Sequence, residues 1–287
     1  MQLIEPSVSL ITEIDPFKKI ELAGRTCYKS EDKITDSSAV GFVGRLIKAG
    51  HLAMVEHAIF YFSNTFNDLL LAQSIKNRMR KIPFSNTTLT KLNSDEFRIV
   101  FSANLRSLLE NEIAEFNTET SELQFDILDL LQCKYEDIEN ITEYEKLNHK
   151  YTTMRFITDR GVTHEFVRHR PFSFAQESTR YVKYNNGNMQ FIKPANYDSW
   201  SPTKQGIFLS ALDTAENYYN DLMANGAIAQ EARAVLPNAL KTELVVTGNE
   251  KEWLHFFELR CDIHAHPDIQ KIANMAKQLY YCGGNEV

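Results

Sequence analysis

Cysteine is scarce in this chain of 287 residues: Cys27, Cys133, Cys261 and Cys282 are widely spaced and form no Cys-x-x-Cys pair. That excludes a disulfide framework or a thiolate zinc site and fits a reducing compartment. Missing too are a Gly-x-Gly-x-x-Gly turn and a Gly-x-x-x-x-Gly-Lys-Ser/Thr loop; Gly41 and Gly44 fall inside a predicted helix. Any nucleotide must then be gripped by side chains more than by a glycine-lined helix terminus. No apolar run in the chain approaches the ~20 residues needed to cross a bilayer. The opening Met1-Gln2-Leu3-Ile4-Glu5 lacks the basic-then-apolar layout of a secretory leader. The expectation is a cytoplasmic protein with no membrane partner. Positive charge is also in short supply. A net charge of −7 disfavours a dedicated nucleic-acid binder, which needs a broad basic face.

Against that acidic background stands one basic island, Arg168-His169-Arg170-Pro171-Phe172-Ser173-Phe174-Ala175-Gln176-Glu177-Ser178-Thr179-Arg180-Tyr181. From Arg168 to Lys183 four cations face the single carboxylate of Glu177, a balance of +3. Crowded like charges need a compensating anion, and the planar guanidinium fork matches phosphate bidentately. A phosphorylated small molecule is the first candidate ligand; a salt-bridged arginine cluster is the alternative. Ser178 reads as a ligand or cap. A nucleophilic role would require a base, and His169 is the only local histidine, with no Gly-x-Ser-x-Gly elbow around Ser178.

A second constellation is Ala232-Arg233-Ala234-Val235-Leu236-Pro237 followed by Thr242, Asn249, Lys251, His255 and Arg260. Lys251 and His255, four apart, share a helix face, whereas Arg260 lies with Trp253, Phe256 and Phe257. An arginine on an apolar stripe needs a ligand or a carboxylate, with Glu258 or Asp262 the nearest in sequence. His264 and His266 beside Asp262 and Asp268 lack further ligands at helical spacing, so no metal site is expected and the run reads as a helix start at Pro267.

Periodicity predicts helices over 36–50, 104–116, 121–131, 161–168, 203–224, 227–235, 249–260 and 268–281. Strands are predicted over 52–63, 97–101, 151–157, 189–192 and 240–247, with Ser85-Asn86-Thr87-Thr88 as a loop-like patch. Elements interleave without a βαβ rhythm. The expected fold is α+β, a mixed and mostly antiparallel sheet flanked by helices in a single domain over 1–287, and the chain changes character over 64–147, which reads as largely helical.

Arg168-His169-Arg170, seven residues, then Ser178-Thr179-Arg180-Tyr181 resembles the signature of the flavin-dependent thymidylate synthases, the ThyX family. Ala232-Arg233-x-x-Leu236-Pro237, Thr247-Gly248-Asn249, the run from Glu258 to Ile269, and the early Ala23-Gly24-Arg25-Thr26-Cys27-Tyr28, His51 and Glu56-His57 are similar to it in the same order. The resemblance covers 18–63 and 148–281, and it implies that 64–147 is an insertion relative to compact members. It implies reductive methylation of dUMP to dTMP, with methylenetetrahydrofolate and NADPH as co-substrates and FAD as cofactor, in a homotetramer whose active sites lie between subunits. It also implies that Arg168, His169, Arg170, Gln176, Asn249, Lys251 and His255 touch FAD with His51 nearby. Glu165, Arg168, Gln176, Glu177, Ser178, Thr179, Arg180, Arg233 and Arg260 would hold dUMP, with Arg260 and Ser178 at the chemistry. Arg260 would favour the N3-deprotonated pyrimidine. Four positions depart from the commoner pattern: Gln176 stands for Glu, Glu165 for Gln, Lys251 for Arg and His255 for Asn. Cys27 invites comparison with the cysteine-nucleophile chemistry of unrelated thymidylate synthases, but only Lys29 could activate it. Two other readings use the same island: a non-catalytic nucleotide or RNA phosphate-binding module, and a hydrolase built on Ser178 and His169.

Overall fold

The computed structural model describes residues 1–117, 120, 122–125, 141–184 and 189–282. The chain opens with β1 (Gln2–Ile4), β2 (Ser7–Leu10), α1 (Pro16–Tyr28), α2 (Ser38–Lys48), β3 (Ile59–Phe66) and α3 (Leu69–Met79). Next come β4 (Ser85–Lys91), β5 (Phe97–Asn104), α4 (Leu105–Glu110), β6 (Ala114–Asn117), β7 (Glu122–Phe125) and α5 (Glu143–His149). The second half runs β8 (Tyr151–Asp159), α6 (Arg160–Phe166), β9 (Ser173–Gln176), β10 (Gln190–Ile192), α7 (Pro202–Ala224), α8 (Ala229–Ala232), β11 (Lys241–Asn249), α9 (Glu250–Arg260) and α10 (Pro267–Cys282).

The heart of the fold is a four-stranded sheet in the order β2-β8-β11-β9, antiparallel throughout. Every residue of β11 is buried, so both of its faces must be covered. Leu244 and Val246 point to one face, where Phe156, Phe166, Trp253, Phe256, Ile269 and Ile272 complete the main core under α6, α9 and α10. Val245 points to the other, against Ala23 and Cys27 of α1. Lys241 and Glu243 share that second face. Lys241 reaches Glu177 at 3.0 Å and also pairs with Glu243, which in turn meets Lys29 and Arg155. These cations hold the Glu243 carboxyl down at about 2 against the opposing effect of burial.

The sheet is not one mixed sheet. The one parallel pairing among the described residues, β1 with β10, forms a separate two-stranded piece, so the architecture is α+β with antiparallel pairing dominant. The segment 64–147 differs from the expected helical insertion. It carries a second antiparallel sheet, β3-β5-β4, and the β6–β7 hairpin. The reasons are local. Thr87, Thr88 and Thr90 supply β-branched side chains to a strand whose Thr88 is buried. After Glu110 the chain turns through Glu112 at φ +56, and burial then alternates residue by residue along β6, a strand period. The helix expected at 121–131 gives way to β7 over Glu122–Phe125; its remainder lies outside the described residues, as does Cys133. The helix expected over 227–235 shortens to α8 followed by a single 3₁₀ turn at Arg233–Val235. Cys27, Cys261 and Cys282 are free thiols, and among the described residues no helix is long and apolar enough to cross a membrane.

Candidate functional site

Three consecutive structural decisions place the basic island. Asp159 caps α6 by accepting the Val162 N–H at 2.8 Å, and the helix carries Glu165. A turn then presents Arg168, His169 and Arg170 before β9 pairs with β11. β11 in turn feeds directly into α9, because Asn249 ends the strand and caps the helix reciprocally with Glu252. Trp253, Phe256 and Phe257 anchor α9 in the core, leaving Lys251, His255 and Leu259 on its outer face. Gly248 is required here. A Cβ at this position would stand 2.2 Å from Cδ1 of Phe172, whose ring lies across the strand. Gly24 serves the same purpose in α1, where a Cβ would meet Phe42 at 2.7 Å.

The product is a cleft of about 490 Å³ lined by Arg168, His169, Arg170, Asn249, Lys251, His255 and Arg260 together with Pro171, Phe172 and Leu259. Among the described residues no carboxylate lies within ion-pair distance of Arg168, Arg170 or Lys251, and all three are exposed. His169 is buried. The Arg260 Nε–H donates to its Nε2 at 2.9 Å, which fixes the ring proton on Nδ1. Burial, reinforced by the neighbouring Arg260 and His255, pushes His169 down to about 4, so it is neutral at pH 7. Arg260 is further held by Glu165, whose carboxylate accepts at 2.7 Å and whose backbone carbonyl accepts at 3.1 Å. Its partner is thus Glu165 rather than Glu258 or Asp262; Glu258 lies 3.7 Å from His255.

The remaining expected residues sit elsewhere. Gln176 does not line the cleft and donates to Thr163 at 3.0 Å. His51 is exposed on the turn after α2 and does not line the cleft. Glu177 is buried, accepting from Lys241 and, at 3.0 Å, from the Tyr184 hydroxyl. The Ser178 N–H donates to the Cys27 carbonyl at 2.9 Å, and its Oγ accepts the Arg180 N–H at 3.3 Å. Arg233 donates to Thr179 at 3.2 Å. Ser178, Thr179, Arg180 and Arg233 therefore form a second cluster beyond the end of β9, while Arg168–Arg170 precede its start. The four strand residues between them span about 13 Å, so within one chain His169 is no base for Ser178. Cys27 is equally unsuited to attack: burial pushes its thiol up to about 12 and Lys29 is committed to Glu243. No group of three or more metal-ligating side chains occurs among the described residues.

Several lining residues escape the sequence reading. Glu252 was signalled by its place in the Asn249-x-x-Glu252 capping pattern, and burial raises its carboxyl to about 7. Asn86 of β4 and Asn148 of α5 carry no sequence signal. Unpaired cations, a neutral imidazole N–H, side-chain amides and an apolar wall make a donor set that suits a ligand carrying phosphate and a planar ring.

Comparison with known proteins agrees. A family model described as thymidylate synthase complementing protein matches residues 9–139 and 138–281. The chain is 37% identical over 114 residues to a flavin-dependent thymidylate synthase of Geobacter sulfurreducens, covering 40% of this chain and 49% of that protein. It is 38% identical over 129 residues to proteins of the same name from Mycobacterium avium and Corynebacterium efficiens, covering 40% of this chain and 50% of each. The chain spans about half the length of the curated relatives it matches. By the extent of the family match, this chain belongs to the thymidylate synthase complementing protein family.

Proposed function

We propose that this protein is a flavin-dependent thymidylate synthase that methylates dUMP to dTMP, using methylenetetrahydrofolate and NADPH as co-substrates. The observation that carries the reading is the convergence of Arg168, His169, Arg170, Asn249, Lys251 and His255 on one cleft that ends at Arg260. FAD, when bound, supplies the redox chemistry that a side chain cannot. The chain's own groups bind and orient. Arg168, Arg170 and Lys251 neutralise phosphate, and the His169 Nδ1–H donates to an acceptor on the ligand. Arg260, held rigidly by Glu165 and His169, presents a permanent charge where a uracil ring gaining negative charge is stabilised.

The second cluster belongs to the same site through a partner copy. Ser178, Thr179, Arg180 and Arg233 lie beyond the far end of β9 from the cleft, so a homotetramer with active sites between subunits brings one copy's cluster to another's cleft. There Ser178 is a phosphate ligand. Residues 1–287 act as one catalytic domain in which 64–147 is an insertion, in a cytoplasmic protein that takes small-molecule substrates. The test is conversion of dUMP to dTMP by purified protein. Product that requires FAD, NADPH and methylenetetrahydrofolate together is expected; protein that retains no flavin and forms no dTMP contradicts the proposal.

A further inference from the structure

A second run of positive charge lies outside the cleft, in the segment 64–147. From Leu69 to Leu92 the chain carries Lys76, Arg78, Arg80, Lys81 and Lys91 and no carboxylate, in a protein of net charge −7. The run spans α3, the turn after it and β4. Ala72, Ile75 and Met79 bury one face of α3 in the core of the second sheet. Arg78, Arg80, Lys81 and Lys91 are exposed, and Lys76 is partly buried. Pairing separates these cations from their neighbours. Elsewhere among the described residues of 64–147, Arg98 meets Glu145, Arg106 meets Glu56 and Glu110, and Lys146 meets Glu143. No described carboxylate lies within ion-pair distance of the five cations of the run.

A helix dipole accounts for a cation or two in the last turn of α3, but not for a whole run without a carboxylate. Like charges held together repel, so the group suits a polyvalent anion. The turn that carries them is fixed. The Lys81 N–H donates to the Arg78 carbonyl at 3.2 Å, the Ile82 N–H to the Met79 carbonyl at 3.0 Å, and the Ser85 hydroxyl to the Ile82 carbonyl at 2.8 Å. The turn ends at Phe84, 70% exposed, which together with Arg170 lines a small cavity beside the cleft. Lys81 precedes Phe84 by three positions, so no more than about 11 Å of chain separates them. Arg78, Arg80 and Lys81 therefore stand near the mouth of the site and outside it. Lys91 closes the other end of β4, about 20 Å from Ser85, and takes no part.

We propose that Arg78, Arg80 and Lys81 form a docking surface for the oligo-γ-glutamyl tail of the folate co-substrate. The inference rests on the thymidylate synthase reading above and concerns only the part of the co-substrate that stays outside the cleft. The pterin end must reach the reacting ring, while the tail, with one carboxylate on each added glutamyl residue, must remain in water. A flexible chain of carboxylates matches exposed, unpaired guanidinium and ammonium groups on a rigid turn. A single-stranded nucleic acid is also polyanionic, but it calls for a longer basic track with successive stacking rings. Phe84 is the one aromatic residue between Leu69 and Leu92.

Binding of monoglutamyl folic acid and of its pentaglutamyl form to the full chain tests this. The companion variant carries Arg78→Gln, Arg80→Gln and Lys81→Gln together, all on exposed side chains. Wild-type protein is expected to bind the pentaglutamyl form about tenfold tighter, the scale of a few exposed ion pairs acting together. That advantage is expected to vanish in the variant and to shrink with added salt, while affinity for the monoglutamyl form stays unchanged. In turnover, the KM for methylenetetrahydrofolate follows the same split and kcat does not move. Equal binding of both forms by wild-type protein, or an advantage that survives in the variant, overturns the inference and leaves the enzyme reading standing. Loss of affinity for a single-stranded oligonucleotide in the variant, with no pentaglutamyl advantage, overturns it in favour of nucleic acid. Wild-type protein that prefers the pentaglutamyl form through these cations yet forms no dTMP sinks the enzyme reading and keeps the surface.

Discussion

At Arg260 a permanently charged side chain is oriented by two partners, Glu165 and the unprotonated Nε2 of His169. The pairing explains how a guanidinium is tolerated beside Phe256 and Phe257. It also assigns the departure from the commoner family pattern at 165, where a carboxylate grips the arginine in place of an amide. Arg260→Ala removes a charged contact of about 1.5–3 kcal/mol. Turnover is therefore expected to fall by about 10- to 100-fold while FAD affinity changes little. Kinetics and flavin titration on the same preparation check this; loss of FAD in step with turnover would reassign Arg260 to the cofactor. The pairing was hidden in the sequence because Glu165 lies 95 positions away. Glu258 is easily read as a neighbour, but two positions before Arg260 on α9 it points to another face and lies by His255.

At the level of elements, legibility follows the strength of the local signal. α9 was readable because Asn249 caps it, Glu252 answers the cap and three aromatics mark its inner face. α7 and α10 were readable for similar reasons, each beginning at a proline. β4 was not, since its Ser-Asn-Thr-Thr start has a loop's composition and becomes a strand only by pairing with β5. The same blindness hid Asn86 from the site. β11 and β9 meet where Gly248 leaves room for Phe172, and Gly248→Ala forces that ring to move. Overpacking of this kind costs about 1–3 kcal/mol. A lower thermal midpoint together with weaker flavin binding is expected, because Phe172 also lines the cleft. An alanine variant with wild-type stability and flavin affinity would show that the strand crossing is looser than described.

Across the whole molecule, buried ionisable groups set the response to pH. Burial holds His57 down to about 3 and His149 and His169 to about 4, against an ordinary 6.5. As pH falls below 6.5 the unfolded chain takes up these protons and the folded chain does not, so stability drops on acidification toward pH 4. Glu252, raised to about 7 from 4.5, acts in the opposite sense: its contribution is complete below pH 4.5 and is lost as pH rises through 7. Three histidines outweigh one carboxyl. The thermal midpoint is expected to fall steadily between pH 6.5 and 4.5, and a flat or rising midpoint over that window would contradict the neutral state of the buried histidines.

The helix-covered antiparallel sheet and the second sheet beside it both contribute residues to the cationic cleft. Its purpose is tested most directly by titrating purified protein with FAD, following the yellow absorbance of bound flavin, beside the Arg170→Ala variant. Tight binding by the wild-type chain, weakened about 10- to 100-fold by loss of one charged phosphate contact, is the expected result. Colourless protein that takes up no FAD, or equal affinity in the variant, would mean that these guanidiniums do not hold a flavin.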